Sequence, residues 1–159
     1  MTRIAEIYNT KNIAEIGTAE GWQCFSFAEY CKEVKGHVYS CDPRDVVNKS
    51  YLNKYKDNST WIQGTSKELS QLKINFDLIY VDGLHDKGEV IKDVANLSSN
   101  QNKNVIWIFD DFDERFGCFN DIVNIAASSK KFKVWKVGLT ASGQPSHQVM
   151  TKANFRIEN

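Results

Sequence analysis

Asn12-Ile13-Ala14-Glu15-Ile16-Gly17-Thr18-Ala19-Glu20-Gly21 is the stretch whose reading decides the fold. It begins as a short apolar strand that ends in an acid, turns on Gly17, and reaches Gly21 four residues later, where a helical pattern starts at once. Strand, glycine turn and helix in that order open a nucleotide-type α/β fold. The glycine spacing narrows the ligand. The dinucleotide fingerprint G-x-G-x-x-G brings backbone against a pyrophosphate. Here the pattern is Glu15-x-Gly17-x-x-x-Gly21, the middle glycine is missing, and no Gly-Lys-Ser/Thr ending follows. Nothing in the turn is specialised for phosphate. An acid two residues ahead of Gly17 suits a ligand with a positive charge or hydroxyl donors.

Working outward, Met1–Thr10 reads as a short helix with Ile4 and Ile7 on one face, ahead of strand one at Asn12–Ile16. Trp22, Phe25, Ala28, Cys31 and Val34 recur at intervals of three and predict a helix with an apolar stripe against a sheet. Strand two, His37–Cys41, is closed by Asp42-Pro43, since proline stops a strand. A helix over Asp45–Tyr55 leads to strand three at Thr60–Gln63, and Thr65 with Glu68 matches a capping box for the next helix. Phe76–Val81 and Val105–Phe109 are almost wholly apolar, as central parallel strands covered on both faces are. The first ends in Asp82-Gly83-Leu84-His85-Asp86 and the second in Asp110-Asp111. Helices are expected at Asp86–Leu97, with Val90, Ile91, Val94 and Leu97 inward, and at Gly117–Ser128, with Phe119, Ile122, Val123 and Ala126 inward. Two closing strands, Phe132–Leu139 and His147–Asn154, are joined too closely for a parallel crossover and form an antiparallel hairpin. The order βαβαβαβαβαββ predicts a doubly wound, mostly parallel α/β sheet.

The chain of 159 residues is expected to form one domain. Twenty basic residues balance twenty acidic ones, which argues against non-specific binding to nucleic acid or a membrane surface. The densest basic run, Lys130, Lys131, Lys133 and Lys136, reads as the solvated rim of an edge strand. No apolar stretch approaches the roughly 20 residues of a membrane span, and no signal-peptide core opens the chain. Cys24, Cys31, Cys41 and Cys118 lack CxxC spacing and read as reduced, buried residues, so the expected compartment is the cytoplasm.

Glu15, Asp42, Asp82, Asp110 and Asp111 all fall at the carboxyl ends of strands one, two, four and five. Single acids there serve as turn-formers and helix caps. Four strand ends carrying them together point to a ligand, because open α/β sheets bind outside those ends, where strand order reverses. That reversal is expected between strands one and four.

On the Glu15–Gly17 turn, the strand-end acids and the closing hairpin, the chain from Asn12 onward resembles the class I S-adenosylmethionine-dependent methyltransferases. It looks most like the small-molecule O-methyltransferases of the "Methyltransf 24" type, relatives of the macrocin and catechol O-methyltransferases. The resemblance implies a seven-stranded sheet of order 3-2-1-4-5-7-6 whose last strand runs antiparallel, with helices on both faces. It implies a cofactor site of Glu15, Gly17, Thr18, Gly21, Asp42, Thr65, Ser66 and Asp82. In it Gly17 lets backbone approach the methionine part, Asp42 accepts both ribose hydroxyls, and Glu15 orients the loop. Thr65 and Ser66 lie where the family holds adenine, and helix capping explains them equally well. It further implies a divalent ion, Mg²⁺ by expectation, on Asp82, Asp110 and Asp111, three carboxylates that would otherwise repel one another. His85, in Asp-Gly-Leu-His beside Asp82, matches a histidine near the reacting centre and is the candidate general base. A solvated loop histidine is the other reading. The acceptor implied is a small hydroxylated molecule, a sugar or a phenol.

Family members carry helices before strand one that cover cofactor and acceptor, whereas only eleven residues precede Asn12 here. The acceptor site is therefore expected to be open or completed by a second copy of the chain. Trp22, Phe112 and Phe116 are candidates to line an apolar pocket, although Trp22 also reads as the first core residue of its helix. Two alternatives stay open. One is a cofactor-binding domain without catalysis of its own. The other, disfavoured by the absent G-x-G, is a nicotinamide-binding Rossmann domain.

Overall fold

In chain order the elements are α1 (Thr2–Ile7), β1 (Asn12–Ile16), α2 (Trp22–Val34), β2 (His37–Asp42), α3 (Lys49–Lys54), β3 (Ser59–Gln63), α4 (Ser66–Ser70), β4 (Leu78–Val81), α5 (Glu89–Ser98), β5 (Ile106–Phe109), α6 (Phe119–Ser128), β6 (Phe132–Val137) and β7 (Lys152–Ile157). The computed structural model describes residues 1–99, 101, 104–128, 132–137 and 152–157, the last two segments as backbone. Lys130, Lys131 and His147 lie outside the described residues.

The alternation of strands and helices produces the expected parallel α/β sheet. Adjacent strands run β3-β2-β1-β4-β5, every pairing among these five being parallel. Strand order reverses at β1, which lies between β2 and β4. β7 pairs antiparallel with β5 on one side and with β6 on the other. The described part of the last strand, Lys152–Ile157, runs three residues past its expected end at Asn154.

Both faces of the sheet are covered, which is why β4 and β5 read as unbroken apolar runs. Ile106 and Ile108 of β5 pack with Ile13, Leu78 and Tyr80 against Cys24, Phe27 and Cys31 of α2. Trp107 and Phe109 point the other way, with Ile79 and Val81, against Leu69 of α4, Val90 and Leu97 of α5 and Ile122 of α6. All four cysteines are buried free thiols. No helix among the described residues is long and apolar enough to cross a membrane.

Several helices are shorter than the periodicity predicts. α3 begins at Lys49 rather than Asp45, because Asn48 caps it by accepting from Ser50 N at 3.0 Å. The α2 stripe is also rotated. Phe25, Ala28 and Cys31 are buried with Cys24, Phe27 and Tyr30, while Trp22 is 69% exposed. Trp22 is thus not a core residue: the left-handed cap at Gly21 starts the helix with this side chain outward, edge-on to Tyr51. Ile7, Ile91 and Val123, expected inward, are exposed as well.

Candidate active site

The backbone ladder continues one residue past the strands and delivers the acids to the rim. Asp82 N donates to Ile16 O at 2.8 Å, Asp110 N to Val81 O at 2.9 Å, and Gly64 N to Asp42 O at 3.0 Å. Between β2 and β4 the chain turns on Gly17, at φ +92°. A Cβ there would sit 2.0 Å from the Asp82 carbonyl oxygen. Gly17 N and Thr18 N both donate to Cys41 O, at 2.9 and 3.3 Å. The loop is thereby pinned across the strand-order reversal.

A cleft of about 300 Å³ opens at this rim. Gly17, Asp42, Thr65, Ser66, Asp82 and His85 line it, so β2, β3 and β4 contribute to one space. Arg44, Glu89 and Asp93 line it too, none of which the sequence pattern singled out. Four carboxyl groups against one arginine and one histidine give it an acidic wall, which suits a cationic ligand.

Asp42 is 2% exposed, yet each of its oxygens accepts two N–H donors. Oδ1 accepts from Arg44 N at 2.8 Å and Arg44 Nε at 3.1 Å; Oδ2 accepts from Ala19 N at 2.9 Å and Arg44 Nη2 at 3.2 Å. Burial pushes this carboxyl up, and the Arg44 and Ala19 donors more than offset it, holding Asp42 below the ordinary carboxylate range.

Glu15, Thr18 and Gly21 are not among the lining residues. Glu15 is buried beneath the loop, where Ser40 Oγ donates to Oε2 and hydrogen-bonds in turn with Thr18 Oγ1. Burial, with the nearby charges of Asp82 and Asp42, pushes its carboxyl up to about 8 despite the Ser40 donor. Glu15 thus lies beneath the glycine loop and is tied to it through Ser40 and Thr18. Ser40 is the partner that sequence reading passed over; a lone serine in an otherwise apolar buried strand was the available signal.

Thr65 does cap its helix. Its hydroxyl accepts from Lys67 N at 3.3 Å, while Glu68 Oε2 accepts from Thr65 N at 2.8 Å. Ser66 is buried, accepts from Asn96 Nδ2 at 2.9 Å and hydrogen-bonds with Asp93. Burial raises the Asp93 carboxyl. Glu89 and Asp93, one turn apart on α5, interrupt the apolar pattern of that helix, and this interruption was their signal.

At β4 and β5 the grouping differs from the expected trio of Asp82, Asp110 and Asp111. Asp110 is buried and turned inward: Tyr80 OH donates to its Oδ2, and its Oδ1 accepts from Asp111 N at 2.8 Å. Tyr80 OH also reaches Asp82 Oδ2 at 2.9 Å, and burial together with both acids raises the phenol. Asp111, at φ +50°, turns back to place Oδ2 2.9 Å from His85 Nδ1. One ligand atom each from Asp82, His85 and Asp111 lies within 4.8 Å of the others. His85 therefore joins the donor group, and Asp110 supports it from behind through Tyr80. Phe116 packs on the His85 ring at 5.0 Å, and Phe112 stacks on Phe119 at 4.7 Å.

Comparison with known proteins agrees with this geometry. The family model described as a methyltransferase domain matches residues 14–112. No curated protein matches the chain. Among solved structures, the SAH-bound methyltransferase PaMTH1 of Podospora anserina is 17% identical with TM-score 0.75, over 99% of this chain and 76% of that one. A Klebsiella pneumoniae protein provisionally assigned as an O-methyltransferase is 15% identical with TM-score 0.80, over 99% and 78%. A Staphylococcus aureus protein provisionally assigned as a caffeoyl-CoA O-methyltransferase is 16% identical with TM-score 0.71, over 97% and 79%. At these identities the structures show a shared fold. The family match runs from β1 to the turn after β5, and so takes in every strand end that lines the cleft. The chain belongs to the methyltransferase domain family and is an S-adenosylmethionine-dependent methyltransferase.

Proposed function

We propose that the protein transfers the methyl group of S-adenosylmethionine to a hydroxyl oxygen of a small molecule, a sugar or a phenol, with a divalent cation at Asp82, His85 and Asp111. The supporting observation is that Asp42 and the Asp82–His85 segment line one cleft, two strands apart across β1. Asp42 would hold the ribose hydroxyls of the cofactor, and Gly17 would let its methionine part approach the backbone beside Asp82. The antiparallel β7 belongs to the same reading, since the methyltransferase resemblance implies it.

The three side chains fit a cation, because their donor atoms are close enough to share one ion. Two carboxylates with an imidazole admit Mn²⁺ or Zn²⁺ as well as Mg²⁺. A divalent ion held there supplies positive charge that makes an acceptor hydroxyl easier to deprotonate. With no ion held, donation from Nδ1–H to Asp111 would leave Nε2 as the basic nitrogen, able to take the hydroxyl proton; with the ion held, His85 would give its free nitrogen to the metal and the proton would pass to solvent. The acceptor oxygen bonds to the methyl carbon as the carbon–sulfur bond breaks, and the electron pair stays on sulfur. The chain contributes chiefly alignment of the two reactants. Trp22 and Leu84 (62% exposed) leave apolar surface for an acceptor or for a second copy that completes its site. The whole is read as one domain with no nucleic-acid or membrane partner.

Methyl transfer from radiolabelled S-adenosylmethionine to a panel of catechols and sugars, after chelation and with Mg²⁺ or Mn²⁺ restored, tests the proposal. Transfer restored by the ion and reduced at least tenfold in Asp111→Asn is expected. No transfer to any hydroxyl acceptor under every metal condition leaves only a cofactor-binding module.

A further inference from the structure

We propose that Arg44 competes with the cofactor for Asp42, so that its guanidinium must leave before a ribose diol can bind. The inference rests on the reading of Asp42 as the ribose acid. A carboxylate offers about four acceptor sites, and four donors already occupy those of Asp42. Two of them are main-chain donors: Ala19 N, next to the Gly17–Thr18 turn held on Cys41 O, and Arg44 N, two residues after Asp42 itself. The other two come from one guanidinium, one bond on each oxygen, which is the pattern a vicinal diol reproduces with two O–H donors. The Arg44 side chain is 67% exposed, so its release costs little beyond the pair itself.

Arg44 then has two effects of opposite sign. It keeps a nearly buried carboxylate satisfied and ionised while the cleft is empty, and it lowers cofactor affinity by the strength of the exchange. Calorimetric titration of the full chain with S-adenosylhomocysteine tests this. That ligand is used because it lacks the sulfonium charge, so loss of a cationic side chain acts on it through the exchange and not through repulsion. Arg44→Ala is expected to bind about threefold more tightly than wild type, the range of a largely exposed ion pair. Arg44→Gln, which keeps length without charge, is expected to move the same way, and Asp42→Asn is expected to bind at least tenfold more weakly. If both Arg44 variants bind equally or more weakly while Asp42→Asn is weakened, Arg44 is not a competitor and the ribose assignment stands. If Asp42→Asn binds as wild type does, the ribose assignment itself fails and the competition with it.

Discussion

Glu15 and Gly17 sit two residues apart and answer to different physics. Glu15 is a buried carboxyl pushed up to about 8, whereas its unfolded counterpart titrates near 4.5. Between those values the folded protein binds a proton that the unfolded chain has released. The Glu15 contribution to stability is therefore whole below about pH 4.5 and is lost as pH rises toward 8, by up to about 1.4 kcal/mol per pH unit. Thermal melts of wild type and Glu15→Gln should show wild type losing stability relative to the variant from pH 5 to pH 8; parallel curves would mean that Glu15 titrates normally. Gly17 is a steric matter. Any side chain there meets the Asp82 carbonyl and an unfavourable positive φ together, so Gly17→Ala should cost about 3 kcal/mol or more in denaturant unfolding. Both positions were legible as residues, because an acid and a glycine at a strand end each have few possible uses. Arg44 was not. A single surface arginine two positions after an acid carries no periodic or motif signal, and only folded coordinates show that it covers Asp42.

At the scale of elements, α4 separates two roles that the sequence left together at Thr65. The capping box accounts fully for the threonine hydroxyl, whereas Ser66 is tied to Asn96 and Asp93 inside the cleft wall. Thr65→Ala should therefore lower stability by about 1 kcal/mol and leave S-adenosylhomocysteine affinity within twofold. A large loss of affinity at unchanged stability would make Thr65 a ligand contact instead. Strand and helix identities were readable because apolar runs and period-three spacing are local patterns. Their ends were less so: Asn48 and Gly21 shift helix starts through cap geometry that hydrophobic spacing does not encode. The same limit explains Asp110. The pair Asp110-Asp111 marks the rim by sequence, but which of the two joins Asp82 and His85 depends on the turn at Asp111 and on Tyr80 from the neighbouring strand.

For the whole molecule, the decisive feature is where strand order reverses. β1 lies between β2 and β4, so acids 40 residues apart in the chain, Asp42 and Asp82, meet over one glycine loop. That gathering followed from the order of elements alone, since parallel strands joined by helices put all their carboxyl ends on one edge. The make-up of the Asp82–His85–Asp111 group did not follow, because His85 is carried into it by a loop whose path is set by tertiary contacts, among them Cys118 N donating to the His85 carbonyl at 2.9 Å. The most direct test is a crystal structure of the chain with S-adenosylhomocysteine bound. The expected result has both ribose hydroxyls on the Asp42 carboxylate and the sulfur directed to the space between Asp82 and His85. A ligand bound away from Asp42, or with its sulfur pointing away from Asp82, would contradict the assignment of this rim as the methyl-transfer site.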